Sequence, residues 1–198
     1  MKTALSCLLV LSLAPSLQAQ ERPWYTPRSR MLNLVGISGR VSDTMGLALL
    51  MEAPVATDSA THVNRLGRAF AAVAGVYASL KVATPVRDSG QMVLGNQNFV
   101  QRNDIGGRSL AMYLECGSDV NGLWAEIYRI RMTLVTFLTP SGVNDIEIRT
   151  VMMGTAIEIP RALPNTRECR STGQLERRVY DMTVKALAKE GYRGLATP

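Results

Sequence analysis

Histidine is nearly absent from this chain of 198 residues, in which His62 is the only one. Structural zinc sites use four Cys or His ligands, so this composition disfavours zinc. A histidine-dependent nucleophile would need His62, an acid and a hydroxyl such as Ser59 or Thr61. We interpret His62 as a polar residue in the first turn of a helix. No nucleophile-elbow, P-loop or dinucleotide-binding pattern occurs, and we predict no catalytic residue, metal or cofactor.

The apolar run at the N-terminus is too short to span a bilayer as a helix. Lys2 precedes it, residues 4–14 form the run, Pro15 ends it, and Ala19 is a small residue at a cleavage position. This order is typical of a secretory signal. We therefore predict that residues 1–19 are a cleaved signal peptide and that the protein is exported to the periplasm or cell envelope. An uncleaved anchor is the alternative.

Cysteine is scarce as well, with three residues in the chain. Removal of residues 1–19 removes Cys7 and leaves Cys116 and Cys169. A single pair of cysteines in an oxidising compartment is expected to form a disulfide. The alternative is a reactive thiol at Cys169, because Ser171 and Gln174 have the spacing of a capping box and a helix N-terminus favours a thiolate. We favour the structural disulfide.

Lysine is rare relative to arginine, with four against eighteen, and the formal net charge is +6. A basic chain can bind nucleic acid or anionic lipid. The arginines are scattered, however, and the densest groups lie at 28–30, 128–131 and 176–178. Nucleic-acid binding is therefore disfavoured, and contact with an anionic envelope surface stays open.

The order of elements predicts one α+β domain over residues 31–190, after a flexible linker at 20–30 and before a C-terminal tail at 191–198. Residues 59–82 have apolar side chains at helical spacing, namely Val63, Leu66, Phe70, Val73, Tyr77 and Leu80. Small residues on the same helix, at 67, 71, 75 and 78, would allow close approach to a sheet. Arg65 and Arg68 argue against a membrane span.

Strand patterns occupy much of the rest of the domain. We predict strands at 32–41 and 46–51, a hairpin at 82–95, a loop at 96–107 and a short helix at 108–117 that ends at Gly117. A long hairpin follows, with strands at 123–139 and 145–159, then a short strand at 165–169. The last helix, 171–191, would bury Leu175, Val179, Met182 and Ala186. The predicted fold is an antiparallel sheet with this long hairpin, packed on one face by two longer helices and tied by one disulfide.

Some carboxylates have suggestive spacing. Asp119, Asn121 and Glu126 lie near a glycine, as in a calcium loop, but a true EF-hand loop has more oxygen ligands. We interpret this stretch as a plain turn. Glu126 and Glu158 could meet across the long hairpin as a glycosidase pair only if the strand register allows it.

Two resemblances can be noted. The pattern "YLECG" at 113–117, followed by a long hairpin and "CRSTGQLE" at 169–176, resembles short exported bacterial proteins of unassigned function. It covers about residues 108–178. The order of elements is also similar to the helix-grip domains of outer-membrane assembly lipoproteins of the BamC type, although this chain lacks a lipobox. Neither resemblance implies catalytic residues.

The sequence therefore predicts an exported, non-catalytic cell-envelope protein. Its partner would be an envelope protein, a lipid or a small apolar ligand, bound in a groove between helix and sheet. The alternative is a hydrolase or transferase with an unfamiliar active site. An apolar groove without convergent polar groups would favour the binding protein.

The first testable prediction concerns processing. Mass spectrometry of the exported protein should give an N-terminus at or near Gln20, because the apolar run and Ala19 precede it. An intact Met1, or a lipid attached to Cys7, would contradict the secretory interpretation.

Overall fold

The computed structural model describes residues 46–54, 59–158 and 166–195, and the side chains of residues 59–63 are left out of the description. The fold is α+β, with an antiparallel sheet packed against helices, as predicted. The elements in chain order are β1 (Leu47–Glu52), α1 (Ser59–Ser79), β2 (Val86–Asp88), β3 (Val93–Gln101), β4 (Asp104–Ile105), β5 (Arg108–Ser109), β6 (Leu114–Glu115), β7 (Ser118–Asp119), β8 (Gly122–Leu123), α2 (Trp124–Ile127), β9 (Arg129–Ser141), β10 (Asp145–Ile157), β11 (Thr166–Ser171), α3 (Gln174–Leu187) and β12 (Arg193–Gly194).

The long hairpin β9–β10 is the centre of the sheet. All thirteen residues of each strand pair, from Ser141 opposite Asp145 to Arg129 opposite Ile157. Gly142 takes the left-handed conformation in the turn, with φ of 68°, which favours glycine because it has no Cβ. The prediction of this hairpin is confirmed. Its first strand starts later than predicted, because residues 124–127 form the single helical turn α2.

The strands of the main sheet lie in the order β12-β1-β10-β9-β3-β2. β10 is long enough to carry two strands on its other edge. β1 pairs with its first half, from Thr150 to Asp145, and β11 pairs with its last residues, from Gly154 to Ile157. β6 then pairs with β11 and extends this part of the sheet.

Both longer helices lie on one face of this sheet, as predicted. The predicted apolar face of α1 is buried at Leu66, Phe70, Val73, Tyr77 and Leu80, and Val63 lies outside the described side chains. The helix packs against α3 and against strands β9 and β3. This face of the sheet and the two helices enclose the main hydrophobic core.

The small residues of α1 do not have the predicted role. Gly67, Ala71, Gly75 and Ala78 are exposed, and a Cβ built on either glycine would meet nothing within 4 Å. They therefore lie on the solvent side, opposite the sheet. The prediction of a close helix–sheet approach was wrong because an α-helical stripe at i, i+4 can lie on either side of the apolar face.

Arg65 is a charged residue inside this core, with only 5% of its surface exposed. Its guanidinium donates to the carbonyl oxygens of Pro54 and of Val143, the latter at 3.3 Å, and to Asn144 Oδ1 at 3.4 Å. These acceptors lie after β1 and in the β9–β10 turn. The buried charge thus fixes α1 to the end of the central hairpin through several hydrogen bonds, as a buried cation requires.

Helix α3 buries a different set of residues from the one predicted. Leu175 and Val179 are buried as expected, but Met182 is half-buried and Ala186 is exposed. The other buried residues of this helix are Glu176, Tyr180, Thr183 and Leu187, of which the first three are polar. Polar residues within the buried stripe shifted the predicted face by about one position, because they do not count toward an apolar periodicity.

Three further predictions need correction. The segment 96–107, predicted as a loop, continues β3 to Gln101 past an irregularity between Asn96 and Phe99, and then forms the β4–β5 hairpin. The predicted helix at 108–117 is a single 3-10 turn at Leu110–Met112 between two short strands. The predicted tail contributes β12, which pairs with β1, and Tyr192 is only 2% exposed.

The predicted signal, linker and strand at residues 1–41 lie outside the described residues. In the part of the chain that is described, none of the helices combines the length and the apolar character needed to cross a membrane. The hairpin predicted at 82–95 is present as β2–β3. Asp88 Oδ1 accepts hydrogen bonds of 2.9 Å from the N–H groups of Gly90 and Gln91 in its turn.

Phe70→Ala should lower the free energy of unfolding by about 3–5 kcal/mol, because the ring is buried in the main core and its removal leaves a cavity. Arg68→Ala is the matched control on the same helix. Its side chain is 61% exposed and its ion pair with Glu190 lies at the surface, so a much smaller loss is expected. Equal losses in urea unfolding would mean that the buried face of α1 is misassigned.

Candidate functional site around the disulfide

The disulfide joins Cys116 and Cys169, with Cα atoms 4.1 Å apart. Arg170 pairs with Glu115, so the same register places Cys116 directly opposite Cys169 on neighbouring antiparallel strands. The N–H of Thr172 donates to the Tyr113 carbonyl at 3.0 Å, and hydrogen-bonded pairs alternate along an antiparallel ladder. The cysteines therefore occupy a non-hydrogen-bonded pair, the position at which opposed Cα atoms lie closest.

This geometry answers the question of the reactive thiol. Both sulfurs are bonded, and both residues are buried. The first residue of α3 is Gln174 and its N-cap is Gly173, so Cys169 lies in strand β11 and not at the helix terminus. The predicted disulfide is confirmed. It joins two strands, however, and not the two helix ends that the sequence suggested.

A cleft of about 430 Å³ lies along the strands that carry the disulfide. It is lined by Glu115, Gly117, Glu168 and Arg170 together with the two half-cystines. Glu115, Glu168 and Arg170 are exposed, and Glu115 and Arg170 are directly opposed across the strands. The lining is therefore charged, with both signs present, which suits a charged or polar partner better than an apolar one.

An aromatic group stands next to this cleft. The Arg167 guanidinium lies 4.4 Å from the centroid of the Trp124 ring, and Tyr128 meets Trp124 edge to face with centroids 5.0 Å apart. The backbone N–H of Trp124 donates to the Gly117 carbonyl at 3.0 Å. The cation–π contact holds the first residues of β11 against α2, so it supports one side of the cleft.

The N-terminus of α3 forms the buried side of the same region. The predicted capping box of Ser171 and Gln174 is not present. Ser171 Oγ instead accepts the N–H of Gly173 at 3.1 Å and donates to Glu176 Oε1 at 2.5 Å. Burial raises the pKa of the Glu176 carboxyl above its usual value, although the Ser171 hydroxyl and the backbone N–H of Glu176 act in the opposite direction.

A second polar group lies in the core between helices and sheet. Tyr77 Oη and Thr136 Oγ1 are 2.9 Å apart, and Thr136 Oγ1 lies 3.0 Å from Thr150 Oγ1. Burial is the main cause that raises the pKa of Tyr77, so the phenol stays neutral. The sequence did not predict this series of hydrogen bonds between Tyr77, Thr136 and Thr150. Thr136 and Thr150 fit the alternation of β9 and β10, but only the strand register brings them together.

The other residues that the sequence marked as candidates have structural partners or lie elsewhere. The side chain of His62 lies outside the described residues. Asp119 accepts a hydrogen bond from the Asn121 N–H at 2.8 Å within the β7–β8 turn, and another at 3.2 Å from the hydroxyl of Tyr128, which follows α2. Glu126 lies in α2 and accepts from Ser109 Oγ at 3.1 Å. Glu126 is not on the long hairpin, so it does not lie opposite Glu158 across the two strands, as the predicted pair required.

No cluster of three or more His, Cys, Asp or Glu side chains suited to a metal ion occurs among the described residues. The calcium-like stretch forms the β7–β8 hairpin and the start of α2. The hydrogen bonds of Asp119 account for the spacing that looked like a calcium loop, because an aspartate that accepts from the backbone two residues on is a common turn device.

Comparison with known proteins finds no family model, no curated protein and no solved structure that matches this chain. The two resemblances noted from the sequence therefore stay predictions, and the function must be inferred from the site itself.

Replacing both Cys116 and Cys169 with serine should lower the free energy of unfolding by about 2–5 kcal/mol, because the crosslink restricts the unfolded chain over a sequence separation of 53 residues. The native protein should show no free thiol until it is reduced or unfolded. Rapid labelling of Cys169 in native protein purified without reductant would contradict the disulfide.

Proposed function

We propose that this protein is an exported, non-catalytic cell-envelope protein that binds a partner protein through the cleft beside the disulfide. The Cys116–Cys169 bond is the observation that carries the proposal. Disulfides persist in oxidising compartments outside the cytosol. The two bonded cysteines are also the two that would be left after cleavage of the predicted signal peptide, which supports export.

The choice of the cleft over the predicted helix–sheet groove follows from packing. Between the helices and the sheet, Tyr77, Leu80 and Leu134 are almost completely buried by their own neighbours. An apolar ligand in that space would have to displace core side chains, and overpacking a filled core is destabilising. The cleft, in contrast, offers charged side chains at the surface without displacing the core.

The charges of the cleft define the chemistry of the partner. Glu115 and Glu168 can accept hydrogen bonds from basic or amide groups, and Arg170 can donate to a carboxylate or a carbonyl. A protein segment that presents both kinds of group satisfies all three residues, whereas a lipid tail satisfies none. We therefore propose a polar segment of an envelope protein as the partner, in preference to a lipid or a small apolar ligand.

The alternative function is a hydrolase or transferase, and its best candidate is the pair of Ser171 and Glu176. Ser171 Oγ resembles an activated hydroxyl because it donates to a carboxylate. It also accepts the N–H of Gly173, two residues further on, which is a common local turn contact of a serine. No histidine or second acid is described beside the pair, and we favour the binding protein.

Photo-crosslinking in the native envelope tests the proposal. A photoreactive residue in place of Thr166, which is exposed on β11 near the cleft, should give a defined protein adduct in the envelope fraction. Arg170→Glu should strongly reduce the adduct, because it puts a third negative charge into the cleft. Arg177→Glu, an equal charge change at an exposed site on α3, should leave it unchanged.

Two outcomes would count against the cleft as the binding site. One is an adduct that Arg170→Glu and Arg177→Glu reduce equally. The other is an equally strong adduct from a photoreactive residue in place of Lys185, which is exposed on α3. Recovery of the protein in the cytosol with Met1 intact would contradict export itself.

A further inference from the structure

We propose that buried Glu176 acts as an acid-stabilised latch, because its carboxyl group supports the junction of β11, β6 and α3 most firmly when it carries a proton. The latch goes beyond the proposed binding function and does not depend on what the cleft binds. It is built from one buried carboxyl group, one hydroxyl group and the strand ends that they join.

The geometry of Glu176 is the basis of the latch. The residue is 2% exposed, in the first turn of α3. One carboxyl oxygen, Oε1, accepts the Ser171 hydroxyl at 2.5 Å, whereas Oε2 is buried without a hydrogen-bond partner in the part of the chain that the structure describes. Burial of a carboxylate with an unsatisfied oxygen is more costly than burial of the neutral acid. The protonated form therefore suits this site.

The Ser171 hydroxyl and the backbone N–H of Glu176 favour the ionised carboxyl group, but burial is the larger cause and raises the pKa of Glu176. Other titratable and charged groups nearby are bonded to other partners. Tyr77 on α1 is neutral, and its hydroxyl is bonded to Thr136. Arg178 on α3 directs its guanidinium at Tyr113 Oη, at 2.6 Å, and at the Gly106 carbonyl, at 2.9 Å. On β11, Cys169 is bonded in the disulfide and does not titrate.

Three further charged residues of this corner lie on the other side of the strands, whereas Arg167 lies over the Trp124 ring. Glu168 and Arg170 alternate with Cys169 and Ser171 along β11, so their side chains point to the opposite face of the sheet. Glu115 on β6 is directly opposed to Arg170 and shares that face. These three exposed residues line the cleft and are separated from Glu176 by the strands.

The direction of the pH dependence follows from this environment. Burial, the largest cause, raises the pKa of Glu176, so the folded value lies above the unfolded one. The stability from this group is therefore complete below the unfolded pKa, about 4.3, and is lost as the pH rises through the folded pKa.

Ionisation should loosen a defined part of the molecule. Ser171 is the last residue of β11 and pairs with Leu114 of β6. Thr172 follows it, and its N–H and hydroxyl donate to the carbonyls of Tyr113 and Met112. A charged Glu176 that moves toward water would pull on Ser171 and on these contacts, and so on the strands that form the cleft.

Urea unfolding of the mature, disulfide-bonded protein from about pH 4 to about pH 8 tests the latch. The unfolding midpoint of the native protein should fall as the pH rises. Glu176→Gln keeps an acceptor for Ser171 and carries no charge, so it should remove part of this fall and give the higher midpoint at the alkaline end. Glu168→Gln, at an exposed carboxylate on the same strand, should keep the native profile.

Other outcomes of this experiment would overturn the latch. It is rejected if Glu176→Gln has the same pH profile as the native protein, or a lower midpoint throughout. Carbon-13 NMR of the unchanged protein decides the matter if the variant does not fold. The Glu176 carboxyl should then titrate above the ordinary glutamate pKa of about 4.3, and titration at or below that value rejects the proposal.

Discussion

The fixed register of β9 against β10 is the constraint on which the rest of the structure depends. Thirteen residue pairs place Ile146, Ile148 and Met152 on the helix side of the sheet. A slip of one residue would turn every one of these side chains to the other face. The register also brings Thr136 opposite Thr150, and Tyr77 reaches this pair from α1. The three buried hydroxyls can bond to one another only in this alignment of β9 with β10. Their hydrogen bonds therefore favour the observed register over its alternatives.

Beyond the register, β10 organises the sheet because it is longer than either of the two strands on its other edge, β1 and β11. β1 and β11 share one of its edges, and Gly154 lies where β11 begins to pair. A Cβ at Gly154 would lie 2.9 Å from Leu114 Cδ1. Because Gly154 has no side chain, β6 and the disulfide can pack against the end of the central hairpin. The position of the cleft beside the disulfide therefore depends on how β10, β11 and β6 pair.

The sequence predicted the parts of this fold that are governed by local periodicity. The buried face of α1, the central hairpin and the turn after Asp88 follow from spacing and turn chemistry, which act over a few residues. The disulfide was predictable for a different reason, because Cys116 and Cys169 are the only cysteines outside the predicted signal peptide.

Several of the errors share a physical cause, since they depend on contacts between residues that are distant in sequence. The tail segment at 191–195 forms a strand because β1 presents an edge to it. Residues 108–117 lose their predicted helix because Ser171 and Arg170 offer them a strand partner. The burial of Glu176 was not predicted because a glutamate in the first turn of a helix normally faces water. Only the tertiary packing of β11 and α1 reveals that this one does not.

The position of β1 has a consequence for the order in which the domain folds. This first described strand lies between β10 and β12, and its residues Met51 and Glu52 pair with Gly194 and Arg193, more than 140 residues further along the chain. The β1–β12 edge therefore joins the two ends of the described sequence. Contacts so distant in sequence form slowly, so this edge is expected to close late in folding, after the local β9–β10 hairpin has formed.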